Sequence, residues 1–101
     1  MSYQDEAMKT AIYSDWKYPF IGLAEEAGEV CGIVAKNVRK GLHRESIDKN
    51  RIAKELGDVL WMVAACCTEM GLDMETVMEV NLEKLRSRQE RNVLEGEGDN
   101  R

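Results

Sequence analysis

Only one proline and one histidine occur in the 101 residues, and no apolar run approaches the roughly 20 residues that a bilayer-spanning helix needs. The N-terminus also lacks the basic-then-apolar layout of a secretory signal. A cytoplasmic protein with no membrane partner is expected. Positive charge is scarce as well: the formal net charge is −5, which argues against a sequence-independent nucleic-acid binder, because that needs a basic face. The three cysteines are odd in number and follow no C-x-x-C spacing, so neither a disulfide framework nor a zinc site is indicated. Cys31, Cys66 and Cys67 each lie in an apolar stretch and read as small hydrophobes. With His43 alone, the Glu-x-x-His motifs of a ferritin-like di-iron site cannot be built. No G-x-x-x-x-G-K-[ST] occurs either. If phosphates bind, metal and side chains must hold them.

What is present is a helix-rich composition, 33% charged and 44% hydrophobic, in a chain of single-domain length. Four helices are expected. The first covers about 2–13, opened by Ser2-x-x-Asp5 as a capping box. An aromatic linker, 13–20, carries the lone Pro19. The second helix covers about 20–40 and stops at Gly41; the third covers 47–70 and stops at Gly71. Asp73 caps a fourth over about 74–89, and the acidic segment 93–101 is expected to fray as a flexible tail, leaving 1–92 as the domain. In the third helix Ile52, Leu56, Val59, Val63, Cys66 and Met70 form one apolar seam. Its second half is apolar nearly all round. A chain this short has too few helices to cover every side, so homo-oligomerisation is expected to complete the fold.

The second helix places Glu25, Glu26 and Glu29 in an apolar stretch with no basic residue within four positions. Glu26 and Glu29 share a face at i, i+3, and Glu25 and Glu29 repel at i, i+4. Gly28 and Gly32 each cost about 0.5–1 kcal/mol in a helix relative to Ala, which suggests a close backbone approach. Glu55 and Asp58 repeat the i, i+3 device on the third helix. Two antiparallel helices facing each other would gather Glu26, Glu29, Glu55 and Asp58. Such a cluster is costly unless a cation offsets it, and all-oxygen ligation suits Mg²⁺, with Mn²⁺ as a substitute. The bland alternative is that Arg51 pairs with Glu55 and Lys54 with Asp58 as ordinary i, i+4 helix pairs. It does nothing for the three acids of the second helix.

On the fourth helix Asn81, Lys84 and Arg88 fall on one face and suit a polyphosphate chain, with Lys36 and Lys54 as weaker candidates of the same kind. A solvated charged face is the alternative. Trp16, Tyr13 and Phe20 in the linker, and Trp61 three residues after Asp58, either stack on a base or pack in the core.

These residues resemble the MazG-like members of the all-α nucleoside triphosphate pyrophosphohydrolase superfamily. The family pattern, E-E-x-x-E, a spacer and E-x-x-D, stands here as Glu25-Glu26-Ala27-Gly28-Glu29 and Glu55-Leu56-Gly57-Asp58. Flanking matches are Tyr3-Gln4, Gly22-Leu23-Ala24, Asp58-Val59-Leu60-Trp61 and Asn81-x-x-Lys84-Leu85-x-x-Arg88. The likeness covers about residues 3–88. It implies an all-α, four-helix-bundle-type fold assembled as a dimer or dimer of dimers, and Mg²⁺-dependent cleavage of a nucleoside triphosphate between its α- and β-phosphates. It makes Glu26, Glu29, Glu55 and Asp58 the metal ligands, with Glu25 binding a second metal or orienting water. Nucleotide-pool house-cleaning is the role expected of such an enzyme. Two rivals stand beside this reading: a phosphoribosyl-ATP pyrophosphohydrolase with the same carboxylates, and a non-catalytic helical module that keeps a metal site.

Overall fold

The structure, a computed structural model, describes residues 1–92; the expected acidic tail, 93–101, lies outside them. Four α-helices occur, α1 Tyr3–Met8, α2 Tyr18–Arg39, α3 Lys49–Glu69 and α4 Met74–Glu90, with a 3-10 turn at Arg44–Ser46 and no strand among the described residues. The fold class is all-α, as expected.

Local chemistry sets most of the helix ends. Ser2 Oγ accepts from the Asp5 amide at 3.1 Å and the Asp5 carboxylate accepts from the Ser2 amide at 3.5 Å, which is the capping box. At Gly41 (φ +66°) the Leu42 amide donates to Asn37 O and the Gly41 amide to Val38 O. Gly71 (φ +66°) repeats this pattern, with Leu72 donating to Cys67 O and Gly71 to Thr68 O. Both are Schellman closures, which favour a residue free to enter the left-handed region. Asp73 caps α4 by accepting from the Glu75 amide.

Two boundaries differ from expectation. α1 ends at Met8 rather than near Tyr13, because side chains take the Ala7 carbonyl: the Thr10 hydroxyl donates to it at 2.7 Å and the Trp61 indole at 3.2 Å. α3 starts at Lys49 rather than Ile47, because the Asp48 carboxylate accepts from the Asn50 and Arg51 amides.

α2 and α3 form the main antiparallel pair. Gly22 faces Met62, Glu26 faces Glu55 and Asp58, and Ile33 and Lys36 share a groove with Ile47 and Arg51. A Cβ built at Gly22 would stand 2.7 Å from the Met62 methyl, so the close approach of the two helices is here. At Gly28 and Gly32, where the sequence suggests one, a Cβ would meet nothing within 4 Å.

The core is small. Ala7, Ala64, Cys67 and Met74 meet where α1 and the start of α4 lie on α3, with Trp61, Val63 and Met8 packed around them. Met62, Ala64, Ala65 and Cys67 of α3 are buried within one chain. Much of the second half of α3 is therefore covered by this chain's own helices, while Leu60 and Met70 stay about half exposed. Leu56 on α3 is about half exposed as well, and Val77, Met78, Val80, Leu82 and Leu85 are exposed along α4, whose first residue, Met74, packs into the core on α3. The radius of gyration is 16.6 Å, against about 13 Å for a compact domain of some 100 residues. Cys31 is exposed on α2, contrary to its reading as a buried hydrophobe, whereas Cys67 is buried.

Gln4 ties three helices together. Its amide nitrogen donates to Thr68 Oγ1 (2.9 Å) and Leu72 O (3.0 Å), and its amide oxygen accepts from the Met74 amide (2.8 Å). Gln4→Ala would strand the Met74 amide, which is partly buried, and remove two further bonds. The expected cost is about 1–3 kcal/mol, read as a fall of roughly 4–8 °C per kcal/mol in the melting temperature.

Candidate metal centre

The antiparallel α2/α3 pairing brings the acidic motifs together. One carboxylate oxygen from each of Glu26, Glu55 and Asp58 lies within 4.8 Å of the others, with Glu26 and Glu55 half-buried and Asp58 exposed. Glu55 and Asp58 reach this point together because i, i+3 positions share a helix face. Glu29, expected as a fourth ligand, lies outside this group and is exposed. Three residues further along α2 it is turned about 60° round the helix, toward the groove described below.

The three carboxylates take no part in the ion pairs seen among the described residues. Those pairs include Lys9–Glu6, Lys17–Asp15 and Arg44–Glu45, all on the surface. Arg51 does not pair with Glu55, nor Lys54 with Asp58, so the reading as ordinary helix pairs fails. The Glu26 carboxyl is held above the usual carboxylate range, first by burial and then by the negative charges of Asp58, Glu55, Glu25 and Glu29. A cation resolves such a conflict, and the donor set, all hard carboxylate oxygens with exposure on the Asp58 side, fits a Mg²⁺- or Mn²⁺-type ion.

Beside the acids runs an open groove of about 360 Å³, lined by Glu25, Glu29, Gly28, Gly32, Ile33, Lys36, Arg39 and Arg51. Lys36 lines it, as a phosphate-binding role requires. Lys54 is exposed on α3 and is not among these lining residues. Nor are Asn81, Lys84 and Arg88: Asn81 is exposed, Lys84 half-buried and Arg88 buried on α4. Arg39 and Arg51 are groove residues that sequence reading missed. Arg39, three positions after Lys36, was legible from helical spacing. Arg51, four residues before Glu55, reads from spacing alone as that acid's ion-pair partner.

The aromatic candidates divide. Trp61 is held structurally: its indole donates to Thr10 Oγ1 (2.9 Å) and Ala7 O, and its ring meets Tyr13 edge-on at 6.2 Å. Tyr13 stacks on Tyr18 at 5.5 Å and its hydroxyl donates to Glu69 at 3.3 Å. Trp16 is 56% exposed, edge-on to Phe20, with the Lys17 ammonium 5.5 Å from its ring centre.

The model of the MazG nucleotide pyrophosphohydrolase domain matches residues 20–93, a span that contains all five acids. The chain is 37% identical over 110 residues to the Gene 37 protein of Mycobacterium phage L5, covering 98% of this chain and 96% of that protein. No solved structure matches the chain significantly.

Proposed function

Because this chain belongs to the MazG nucleotide pyrophosphohydrolase family, we propose that it hydrolyses nucleoside or deoxynucleoside triphosphates to the monophosphate and pyrophosphate, with Mg²⁺ as the resident ion. The observation that carries this reading is the cluster of Glu26, Glu55 and Asp58, outside the ion pairs seen among the described residues, with a groove lined by Lys36, Arg39 and Arg51 beside it. Those three carboxylates hold the ion. When bound, it offsets the charge of the triphosphate and polarises the scissile phosphorus.

Glu29 and Glu25 stand on the groove side of α2. One of them orients the attacking water and accepts its proton, a role suited to a carboxylate within hydrogen-bond reach; Glu25 alternatively serves a second ion. The water oxygen bonds to the α-phosphorus, the bridging P–O bond to the β-phosphate breaks, and pyrophosphate leaves with that electron pair. A cytoplasmic house-cleaning role follows from such a reaction.

The working form is a homo-oligomer, a dimer or dimer of dimers. The support is the exposed apolar surface of α3 and α4 on a chain more extended than its length warrants.

Pyrophosphate and monophosphate release from a panel of NTPs and dNTPs, with Mg²⁺ and with EDTA, tests the reaction. The expected result is release of both products with Mg²⁺ and none with EDTA. No release from any of them would overturn the NTP reading and move attention to phosphoribosyl-ATP.

A further inference from the structure

The net charge of −5 conceals a segregation. Between residues 36 and 54, where α2 ends, the chain turns and α3 begins, seven lysines and arginines stand against two acids, Glu45 and Asp48. This tip of the α2/α3 hairpin therefore carries +5 and the remaining chain −10. We propose that the tip is a docking surface for nucleic acid, gripping the phosphate backbone without reading its sequence. The inference stands apart from the hydrolase reading: Lys40, Arg44 and Lys49, on which it rests most, do not line the groove beside the carboxylates.

Three features argue for it. First, the positive charge is exposed and uncompensated. All seven cations are exposed. Among the described residues only Arg44 of this set has an ion-pair partner, Glu45 at 3.6 Å, and that pair lies largely in water, where it contributes little. The Asp48 carboxylate is engaged at the helix start, accepting from the Asn50 and Arg51 amides. Helix electrostatics explains part of the set, because Lys36, Arg39 and Lys40 end α2, where its dipole favours cations. Lys49 and Arg51 open α3, where the dipole disfavours them and no acid in the first turn offsets the cost. Lys40 also stands with Lys36 and Arg51 round a hollow of about 180 Å³, so the two helix ends bring their charges together.

Second, the tip is held in one shape. Asn37, a polar residue only 8% exposed, closes the turn. Its side-chain amide donates to His43 O and its own carbonyl accepts from the Leu42 amide, each at 3.1 Å. The Ser46 and Ile47 amides then donate to His43 O and Arg44 O, which forms the 3-10 turn. Cations on a fixed turn lose less freedom on binding than cations on a loose one.

Third, the make-up of the tip selects the class of partner. A protein partner needs apolar or aromatic anchors that are desolvated at the centre of the interface. No Phe, Trp or Tyr occurs between 36 and 54, and Val38 and Leu42 are the large apolar side chains exposed there. Phosphate contact needs no such anchor. Ammonium and guanidinium groups supply essentially all of sequence-independent nucleic-acid affinity. A net acidic chain can still dock this way, because phosphates within a Debye length respond to the local charge.

Fluorescence polarisation of a labelled DNA oligonucleotide, single-stranded and as its duplex, provides the test, in buffer free of divalent metal and over a series of salt concentrations. The full chain is expected to bind at least one form with a Kd on the order of 10⁻⁶–10⁻⁴ M near physiological salt, and more tightly below it. In the triple variant Lys40→Gln/Arg44→Gln/Lys49→Gln, affinity should fall at least about ten-fold, and the salt slope should shrink by about one per side chain removed. Its melting temperature and its pyrophosphate release from triphosphates should match the wild type. Lys9→Gln/Lys17→Gln, which lowers positive charge away from the tip, should bind DNA as the wild type does. Labelled poly-glutamate is the arm for an acidic protein partner, and tip-dependent binding of it as tight as that of DNA would overturn the assignment to nucleic acid. So would an absence of DNA binding at low salt, or an unchanged affinity and salt slope in the triple variant. Tip-dependent DNA binding by a protein that releases no pyrophosphate would sink the hydrolase reading and leave this one standing.

Discussion

Asp58→Asn and Glu26→Gln are each expected to cut pyrophosphate release by a factor on the order of 10²–10³ while leaving the helices intact. Both substitutions keep side-chain volume and remove one negative charge from a group of three oxygens lying within 4.8 Å of one another. Without metal these carboxylates repel, so the variants should melt at or above the wild-type temperature. With metal the order reverses. An ion at a hundred times its Kd stabilises the folded chain by about 2.7 kcal/mol, roughly 10–20 °C for a domain of this size, and that gain should vanish in either variant. A variant that melts lower than wild type without metal and gains equally from Mg²⁺ would refute the cluster as an ion site.

The same cluster sets a pH dependence. The Glu26 carboxyl is raised by burial and by its acidic neighbours, so the folded state holds this proton to higher pH than the unfolded chain does. Its contribution to stability is therefore fully present below the unfolded carboxylate value and is lost as pH rises through the raised folded value. The ion competes with that proton. In metal-free buffer the melting temperature should fall as pH climbs out of the carboxylate range. Mg²⁺ affinity should rise over the same interval, and Glu26→Gln should flatten both trends.

The second large effect concerns assembly. Leu60→Glu combined with Leu85→Glu is expected to convert a multi-subunit particle into an 11.5 kDa monomer, with a lower melting temperature and weaker turnover. Leu60 is 50% exposed on α3 and Leu85 is 38% exposed on α4. Each fully buried leucine contributes about 1.5–3 kcal/mol, and the core cluster within one chain, Ala7, Ala64, Cys67 and Met74, includes neither leucine. Light scattering after size exclusion reads the mass directly. A wild-type mass equal to one chain would end the oligomer proposal.

Much of the helical architecture was legible from residue order alone, because helix ends are decided by neighbours in the chain. Ser2 with Asp5, Asp73, Gly41 and Gly71 all act where their spacing placed them, through bonds of only a few residues' reach. The acidic motifs were equally legible: three acids in an apolar stretch without a base make no sense on a solvated helix. Where side chains from distant segments intervene, local reading fails. Trp61, 54 residues away, takes the Ala7 carbonyl and helps to end α1 early. Gly28 and Gly32 look like packing sites from sequence, yet Gly22 is the one that packs, since which face of α2 meets α3 depends on where the helices cross.

The sequence by itself determined the all-α class, the glycine stops of α2 and α3 and the identity of the acids, since periodicity and capping are short-range physics. Tertiary structure alone decided that Glu26, Glu55 and Asp58 converge while Glu29 turns toward the groove. It also decided that Lys36, Arg39 and Arg51 line that groove instead of the face carried by α4. The reason is the antiparallel α2/α3 pairing: its register selects which turns of the two helices stand opposite one another, and no spacing within either helix encodes that register.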